Sequence, residues 1–412
     1  MADKRVLESV QLKYFKAIQD SGVVEFSPLT VLIGNNGSGK SSLIEGLLTY
    51  QRMVTEGLDE SMNNWRGFEY IVNAAKPVDD ADLSQSDVSR KKSITFNVRH
   101  LLPGQRKDRR RSVHQHTVSV GNPDDDKQIQ IVKETWKQGR RKYTRIDAGN
   151  RTIVKRSSKK SSEFKFPYLL PRTCWPIFSS PEEGESNQIN VNATAFYVIS
   201  SWQFLTMNPN SMGQPQSQKR TGGPIRLNSD GTNIAEYVSD IIEHDPDTFD
   251  GILEAMQYVM PYLRDLRPVL TDILGRQMHV EMTEAEFTVM GWLLSTGTLR
   301  LLALLALFRH PNPPPLIVIE EIENGLDPRA VNLIVDEIRD VVESGRSQVI
   351  LTTHSPYLLN LLPLSTIVLV ERVGDIPTFS RPRDRNDLES WSRRFNSGQL
   401  YTMGALERND RL

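Results

Sequence analysis

The sequence predicts an α/β fold, on the strength of three stretches among its 412 residues. The apolar run Leu29-Thr30-Val31-Leu32-Ile33 enters a glycine-rich loop and then a helical pattern. Leu316-Ile317-Val318-Ile319 stops at Glu320-Glu321, and Ser347 to Thr353 stops at His354. Apolar runs this short, ending abruptly in turn residues or charge, read as buried strands, and the helical patterns around them complete an α/β architecture.

The first loop is Gly34-Asn35-Asn36-Gly37-Ser38-Gly39-Lys40-Ser41, with Ser42 opening the helical run. Strand, loop and helix in this order fit a phosphate-binding loop. Glycines let backbone N–H groups curl around an anion, and the helix turns its positive end towards the phosphates. Lys40 is then placed to reach the β/γ-phosphates and the Ser41 hydroxyl to hold Mg²⁺. A plain Gly/Ser/Asn turn before a helix has no need of all four motif positions, so the stretch predicts a nucleoside triphosphate as ligand.

A chain of this length can bury a sizeable core and suggests two or three lobes. Its longest strongly apolar run, Leu299 to Phe308, is interrupted by Arg300 and closed by Arg309, too short for a membrane span. The start Met1-Ala2-Asp3-Lys4-Arg5 has no apolar stretch of signal-peptide type behind it, and Cys174 is the single cysteine, which together imply a cytoplasmic protein. Net charge is −1, so the overall charge does not mark the molecule as a polyanion binder, yet the charge is unevenly spread.

Val6 to Phe15 alternates as a strand does, and Gly22 to Phe26 reads as its antiparallel partner. This opening, with the aromatic-Lys pair Phe15-Lys16 and the loop after it, resembles the branch of the ABC ATPases that contains the structural-maintenance-of-chromosomes proteins, RecF, Rad50 and the OLD proteins. The resemblance implies a P-loop NTPase of ABC-ATPase type with an antiparallel β lobe and a helical lobe, using ATP and Mg²⁺. Its parts would be residues 1–90 with the phosphate loop, 91–190 as a basic β-rich part, and 191–412 as the helical lobe and the rest of the ATPase head.

Glu56 to Arg90 is polar and reads as a connection with one short helix. Lys91 to Lys160 holds twenty Lys/Arg against six Asp/Glu, in strand-like pieces such as Ser93 to Val98 and Gln128 to Val132. Between them lie basic stretches, Arg106 to Arg111, Arg140 to Lys142 and Lys155 to Lys160. Basic loops rimming a sheet suit the phosphate backbone of duplex DNA; they suit an acidic protein partner, or solvent alone, equally well. His114 and His116 share one face of a strand, but with no further ligand beside them they read as surface residues rather than a metal site. The prolines between Lys165 and Gln188 mark a boundary. Asn192 to Ser200 reads as a strand, and Met207 to Arg220 as a mobile loop. Helical patterns cover Ile234 to His244 and Thr248 to Met260, the first preceded by Asp230-Gly231-Thr232-Asn233, a helix start with a good cap. An ABC ATPase also needs a glutamine that senses the γ-phosphate through Mg²⁺, and Gln203 is the candidate.

Downstream, Leu294-Ser295-Thr296-Gly297-Thr298 resembles the ABC signature motif, retaining Ser295 and Gly297 but not the usual neighbours. Standing alone it would be a Ser-capped buried helix. Glu320-Glu321 then falls at the Walker B position. Carboxylates at the end of an apolar strand are costly unless a cation or water lies before them, and the resemblance gives Glu320 to Mg²⁺ and Glu321 to the attacking water. Glu320 in place of the usual Asp points to the OLD-like branch. Gly325-Leu326-Asp327-Pro328 matches the D-loop, with Asp327 facing another subunit, and His354 matches the switch histidine.

The resemblance implies a head-to-tail dimer or higher oligomer in which Ser295 of one subunit closes over ATP held by Gly34 to Ser41 of another. The stretch beyond His354 leaves no room for the TOPRIM nuclease domain of OLD nucleases, so nuclease chemistry would come from another chain. The interval from Lys40 to Leu294 is too long for a transporter subunit, and no long heptad stretch occupies it. Three functions stay open: a switch subunit in a prokaryotic anti-phage or toxin-like system, controlling an effector such as a nuclease encoded nearby; a RecF-like DNA-repair ATPase; and an assembly scaffold timed by slow ATP turnover.

Overall fold

The computed structural model describes residues 5–73, 93–102, 112–122, 128–139, 141–148, 151–157, 162–166, 173, 189–219, 223–271, 276–382 and 394–406. The basic stretch 106–111, most of the proline-rich boundary, and residues 383–393 and 407–412 of the tail lie outside them, as do residues 74–90 of the polar connection.

The chain opens with β1 (Leu7–Phe15), β2 (Ile18–Asp20), β3 (Val24–Glu25) and the wholly buried β4 (Leu29–Ile33), followed by α1 (Lys40–Thr55) and α2 (Leu58–Asn63). Next come β5 (Ser93–Leu102), β6 (Ser112–Gly121), β7 (Gln130–Gln138), β8 (Arg141–Ala148), β9 (Arg151–Ser157) and β10 (Ser162–Phe166), then α3 (Ile189–Ser200). After β11 (Gln203–Leu205), α4 (Pro209–Met212) and β12 (Gln216–Ser217) come α5 (Ile234–His244) and α6 (Pro246–Val259). A meander of β13 (Leu263–Thr271), β14 (Gln277–Glu284) and β15 (Phe287–Met290) leads to α7 (Thr296–Arg309). The chain ends with β16 (Leu316–Ile319), α8 (Pro328–Glu343), β17 (Gln348–Thr352), α9 (Pro356–Asn360), β18 (Ile367–Val373), β19 (Ile376–Ser380) and α10 (Ser397–Thr402). Four helices start by one local rule. Asn208, Asp245, Asp327 and Ser355 cap α4, α6, α8 and α9 through their side chains, and a proline follows each in the first turn, where its missing N–H is not needed.

The residues group into two compact units: 1–27, 32–202 and 368–381 in the first; 28–31, 203–367 and 382–412 in the second. Neither is continuous along the chain, unlike the sequential parts expected with boundaries at 90 and 190. In the first unit an antiparallel sheet runs β10-β9-β8-β7-β6-β5-β1-β2, with β3 also on β1. α1 packs on β1 closely enough that a Cβ at Gly46 would stand 2.3 Å from Leu12 Cδ1.

Asn192 to Ser200, read as a strand, is helical. Ala195 and Ile199, one helical turn apart, are fully buried, and the carbonyls of Ile199 and Trp202 at the helix end accept from Gln51 Nε2 at 2.8 and 2.9 Å. Packing against α1 overrode the strand preference of the β-branched and aromatic residues.

His114 and His116 are buried rather than on the surface. The hydroxyl of the buried Tyr50 lies 2.9 Å from both His100 Nε2 and His116 Nδ1, and His116 Nε2 lies 3.0 Å from Glu134 Oε1. Arg145 Nη1 approaches Glu134 Oε2 at 3.7 Å while its Nη2 pairs with Asp147 Oδ2 at 2.9 Å, and Thr152 donates to Asp147 at 2.8 Å. A polar chain thus crosses the core from α1 to β9, tolerable there because its members satisfy one another. Tyr50→Phe removes the hydroxyl that both rings face, and unfolding titrations should show a loss of about 1–3 kcal/mol.

Burial pushes His100 well below the ordinary histidine range and His114 down to about 4. The unfolded chain therefore binds protons that the folded one refuses, so stability is full above about pH 6.5 and falls as pH drops towards 4. His114 alone accounts for up to ~3 kcal/mol of this decline, and thermal melts of His114→Phe should show a shallower fall over the same range.

In the second unit, β11, β16 and β17 run parallel in that order, and residues 28–31 of β4 lie beside β17, with Val349 N donating to Pro28 O at 2.9 Å. α7 is buried continuously from Thr298 to Phe308, so it forms the middle of the core rather than an amphipathic cover; α8, by contrast, has one apolar face. Met207 to Arg220, expected as a mobile loop, carries α4, and β12 pairs Gln216 with Met278 of β14. Asn233 does stand at the N-cap of α5, but its side chain makes no cap bond. It accepts from Asn228 N at 2.7 Å and donates to Arg226 O at 2.8 Å, bracing the preceding loop. Among the described residues no helix is long and apolar enough to cross a membrane.

Candidate nucleotide site

The glycine loop lies in the first unit, between the buried end of β4 and α1. Gly34, Gly37 and Gly39 have φ of 150°, 75° and 116°, backbone that a Cβ disfavours. Their surroundings differ. A Cβ at Gly34 would stand 2.0 Å from Val370 O on β18, and one at Gly39 would stand 2.9 Å from Pro377 Cβ on β19; at Gly37 nothing lies within 4 Å. The β18–β19 hairpin therefore presses the two ends of the loop, while its tip, Asn35 to Gly37, is exposed.

Lys40 is buried, and its Nζ donates to Gly34 O at 2.7 Å and Asn35 O at 3.1 Å, which closes the loop into a ring with the ammonium beneath it. Ser38 Oγ is buried there, without a hydrogen-bond partner among the described residues. Ser41 is exposed in the first turn of α1, Ser42 is half-buried, and that turn contains no acidic side chain. A helix N-terminus, a held ammonium, an orphaned hydroxyl and an open tip fit the phosphates of a nucleotide. Arg372 was not legible as part of this loop: it donates from Nε to Gly37 O at 2.8 Å, an approach made by a strand that is remote in sequence.

Glu320 and Glu321 leave the carboxyl end of β16, and His354 leaves that of its parallel neighbour β17, both in the second unit. Glu321 has φ 48°, unusual for a non-glycine residue. Its N–H donates to Thr352 Oγ1 at 2.8 Å, its carbonyl accepts from Arg300 Nη2 at 2.9 Å, and its carboxylate accepts from Asn324 Nδ2. Its side chain is exposed. His354 is half-buried, and its backbone N donates to Glu323 Oε1 at 2.7 Å, a bond that ties the turn after β17 to the turn after β16.

Gln203 is not brought to these carboxylates. It stands opposite Ile317, at the start of β11 and hence towards the amino end of β16, and its amide donates to Leu227 O at 2.6 Å. Near-sequence position suggested a metal-sensing glutamine, but strand register turns it into a core residue.

Ser295 caps α7, accepting from Thr298 N at 3.1 Å, and remains exposed. Gly297 is required by packing: a Cβ there would stand 2.3 Å from the carbonyl of Gly325, whose own φ is 74°. The turn before α7 and the turn before α8 thus touch backbone to backbone. Asp327 is exposed, and its carboxylate accepts from Arg329 N and Ala330 N to cap α8.

The family model of an AAA domain described as "putative AbiEii toxin, Type IV TA system" matches residues 29–360. The chain belongs to this family. A search of the curated proteins finds no match. Among solved structures, this AbiEii-like AAA protein is similar to an Smc head bound to the C-winged helix domain of ScpA. Identity is 16%, coverage 91% of this chain and 97% of that one, and the TM-score 0.52. An Smc head domain with an extended coiled coil bound to the C-terminal domain of ScpA, derived from Pyrococcus furiosus, matches at 13% identity, 94% and 100% coverage, and a TM-score of 0.50. At such identities the likeness is one of fold. The AbiEii-like protein has the P-loop ATPase fold of AAA/ABC type, mixed α/β with an antiparallel sheet and helices, as the sequence predicted.

Proposed function

We propose that this AbiEii-like protein binds and hydrolyses ATP as a nucleotide-dependent switch subunit of a toxin-like or anti-phage system, controlling an effector such as a nuclease supplied by another chain. The observation that carries the enzymatic part is Glu321: an exposed carboxylate at a strand's carboxyl end, in a strained backbone held at both peptide groups. Backbone strain of this kind persists where geometry matters to chemistry. The family match supports the toxin-like setting.

In this reading the amides of Gly37 to Ser41 and the Lys40 ammonium bind the β- and γ-phosphates, and Ser41 and Glu320 are the residues that would offer oxygens to Mg²⁺. Mg²⁺, when bound, would supply positive charge to offset that of the phosphates. Glu321 takes the proton of the attacking water, and His354 steadies the water and the γ-phosphate. Ser295 and the N-terminus of α7 bind the γ-phosphate of a nucleotide held by a second copy, so that ATP joins two chains and hydrolysis releases them. Lys137 and Lys142, exposed and directly opposite on β7 and β8, place like charges together and favour a polyanion on that sheet face; duplex DNA as activator is the second reading.

The deciding experiment is steady-state ATPase of the full chain, with and without duplex DNA and with and without the product of each neighbouring gene, alongside sedimentation in ATP and in ADP. Turnover with ATP-dependent self-association, altered by a neighbouring protein, is the expected result. Stimulation by DNA alone would favour the repair reading, and absence of turnover under all conditions would overturn the enzymatic assignment.

A further inference from the structure

Arg300 is an unusual residue for its place. It sits in the second turn of α7, 6% exposed, within a run of buried residues that is otherwise apolar beyond Thr298. Burying a guanidinium is costly unless it is well paired; the charges of Glu323 and Glu321 act on it, yet among the described residues Nε has no hydrogen-bond partner. Its Nη2 goes to Glu321 O at 2.9 Å and its Nη1 to Met207 O at 3.4 Å. Were the need only to fill the core, leucine or methionine would serve better.

The other side of the same residue is held as well. The Glu321 N–H donates to Thr352 Oγ1 at 2.8 Å, from a threonine 2% exposed on β17. Two buried side chains, from a helix and a strand that do not adjoin in sequence, thus grip the two peptide groups of one residue at φ 48°. That backbone would otherwise relax, since a non-glycine residue gains about 1–2 kcal/mol on leaving the left-handed region. Arg300 also runs under the D-loop turn, where a Cβ on Gly325 would stand 3.7 Å from its Cδ.

We propose that Arg300 and Thr352 are positioning residues for Glu321: they hold its strained peptide so that the carboxylate is set for the water, and Arg300 makes that setting depend on the seating of the helix Ser295 caps. A shift of α7 on engaging a second copy's nucleotide would then be felt at the carboxylate of its own chain through one hydrogen bond. The inference rests on the assignment of Glu321 as the base in the proposed function.

The test uses the full chain and four variants, Thr352→Val, Thr352→Ser, Arg300→Met and Arg300→Lys, with Glu321→Gln as reference. Thr352→Val keeps the shape and loses the acceptor; Thr352→Ser keeps the acceptor. Expected are a fall in kcat of about 10–100-fold for Thr352→Val and Arg300→Met, with KM and the affinity for a fluorescent ATP analogue within about threefold, and recovery in Thr352→Ser. In nucleotide-free protein, amide exchange at Glu321 should be faster in Thr352→Val than in Thr352→Ser. Wild-type kcat in folded Thr352→Val and Arg300→Met would overturn the proposal, as would losses confined to KM and melting temperature, which a merely structural role produces. Wild-type turnover in Glu321→Gln would instead remove the reading on which it rests.

Discussion

Glu321→Gln is expected to lower ATP turnover by about 10²–10⁴-fold while leaving ATP binding within a few-fold of wild type. The amide has the shape of the carboxylate, keeps an oxygen for the Asn324 side-chain amide, and leaves both backbone bonds to Thr352 and Arg300 in place. What it loses is the capacity to take a proton. The left-handed φ of 48° is borne by either side chain, so the fold should survive unchanged. The expected signature is therefore a loss in kcat with little change in KM, measured by phosphate release, beside an unchanged equilibrium affinity for ATP. If the variant turns over as fast as wild type, Glu321 is not the base, and the carboxylate pair at the end of β16 has another task.

Gly34→Ala should abolish nucleotide binding, by more than about 100-fold, for a reason that lies outside the loop itself. The new methyl group would meet the carbonyl oxygen of Val370 at 2.0 Å, well inside van der Waals contact, and φ of 150° disfavours any side chain. Either β18 moves away or the loop does, and Lys40, whose ammonium donates to Gly34 O, moves with it. Gly37→Ala is the control. The added Cβ would meet nothing within 4 Å and bring only the strain of φ 75°, so about 1 kcal/mol of destabilisation and a modest loss of affinity are expected. Binding of a fluorescent ATP analogue, measured with a melting curve for each variant, separates the two. Equal affinities in the two variants would mean that the hairpin approach does not shape the loop.

Residues 34–41, the strands around them, the capped start of α7 and the carboxylates after β16 were legible because each is local chemistry: a backbone that only glycine allows, a side chain that caps its own helix, a charge that ends an apolar run. Helix α3 was misread because nine residues rich in β-branched and aromatic side chains carry no marker that tells a buried helix from a buried strand, and Ala195 and Ile199 declare their face only once α1 is present. His114 and His116 were placed on the correct shared face, but whether that face meets water or Tyr50 depends on which side of the sheet the helix covers.

By itself the sequence determined which residue types stand at which strand ends, and hence that a phosphate loop, a signature-like helix start and a paired carboxylate occur in one order along one chain. Only the tertiary structure decided that Gln203 pairs three residues short of Glu320, that Arg372 comes to Gly37, and that Arg300 reaches the carbonyl of Glu321. Motifs are short because their chemistry acts through neighbouring atoms. The contacts that aim them join segments far apart along the chain, and these are set by strand order and helix packing, which no local window of sequence contains.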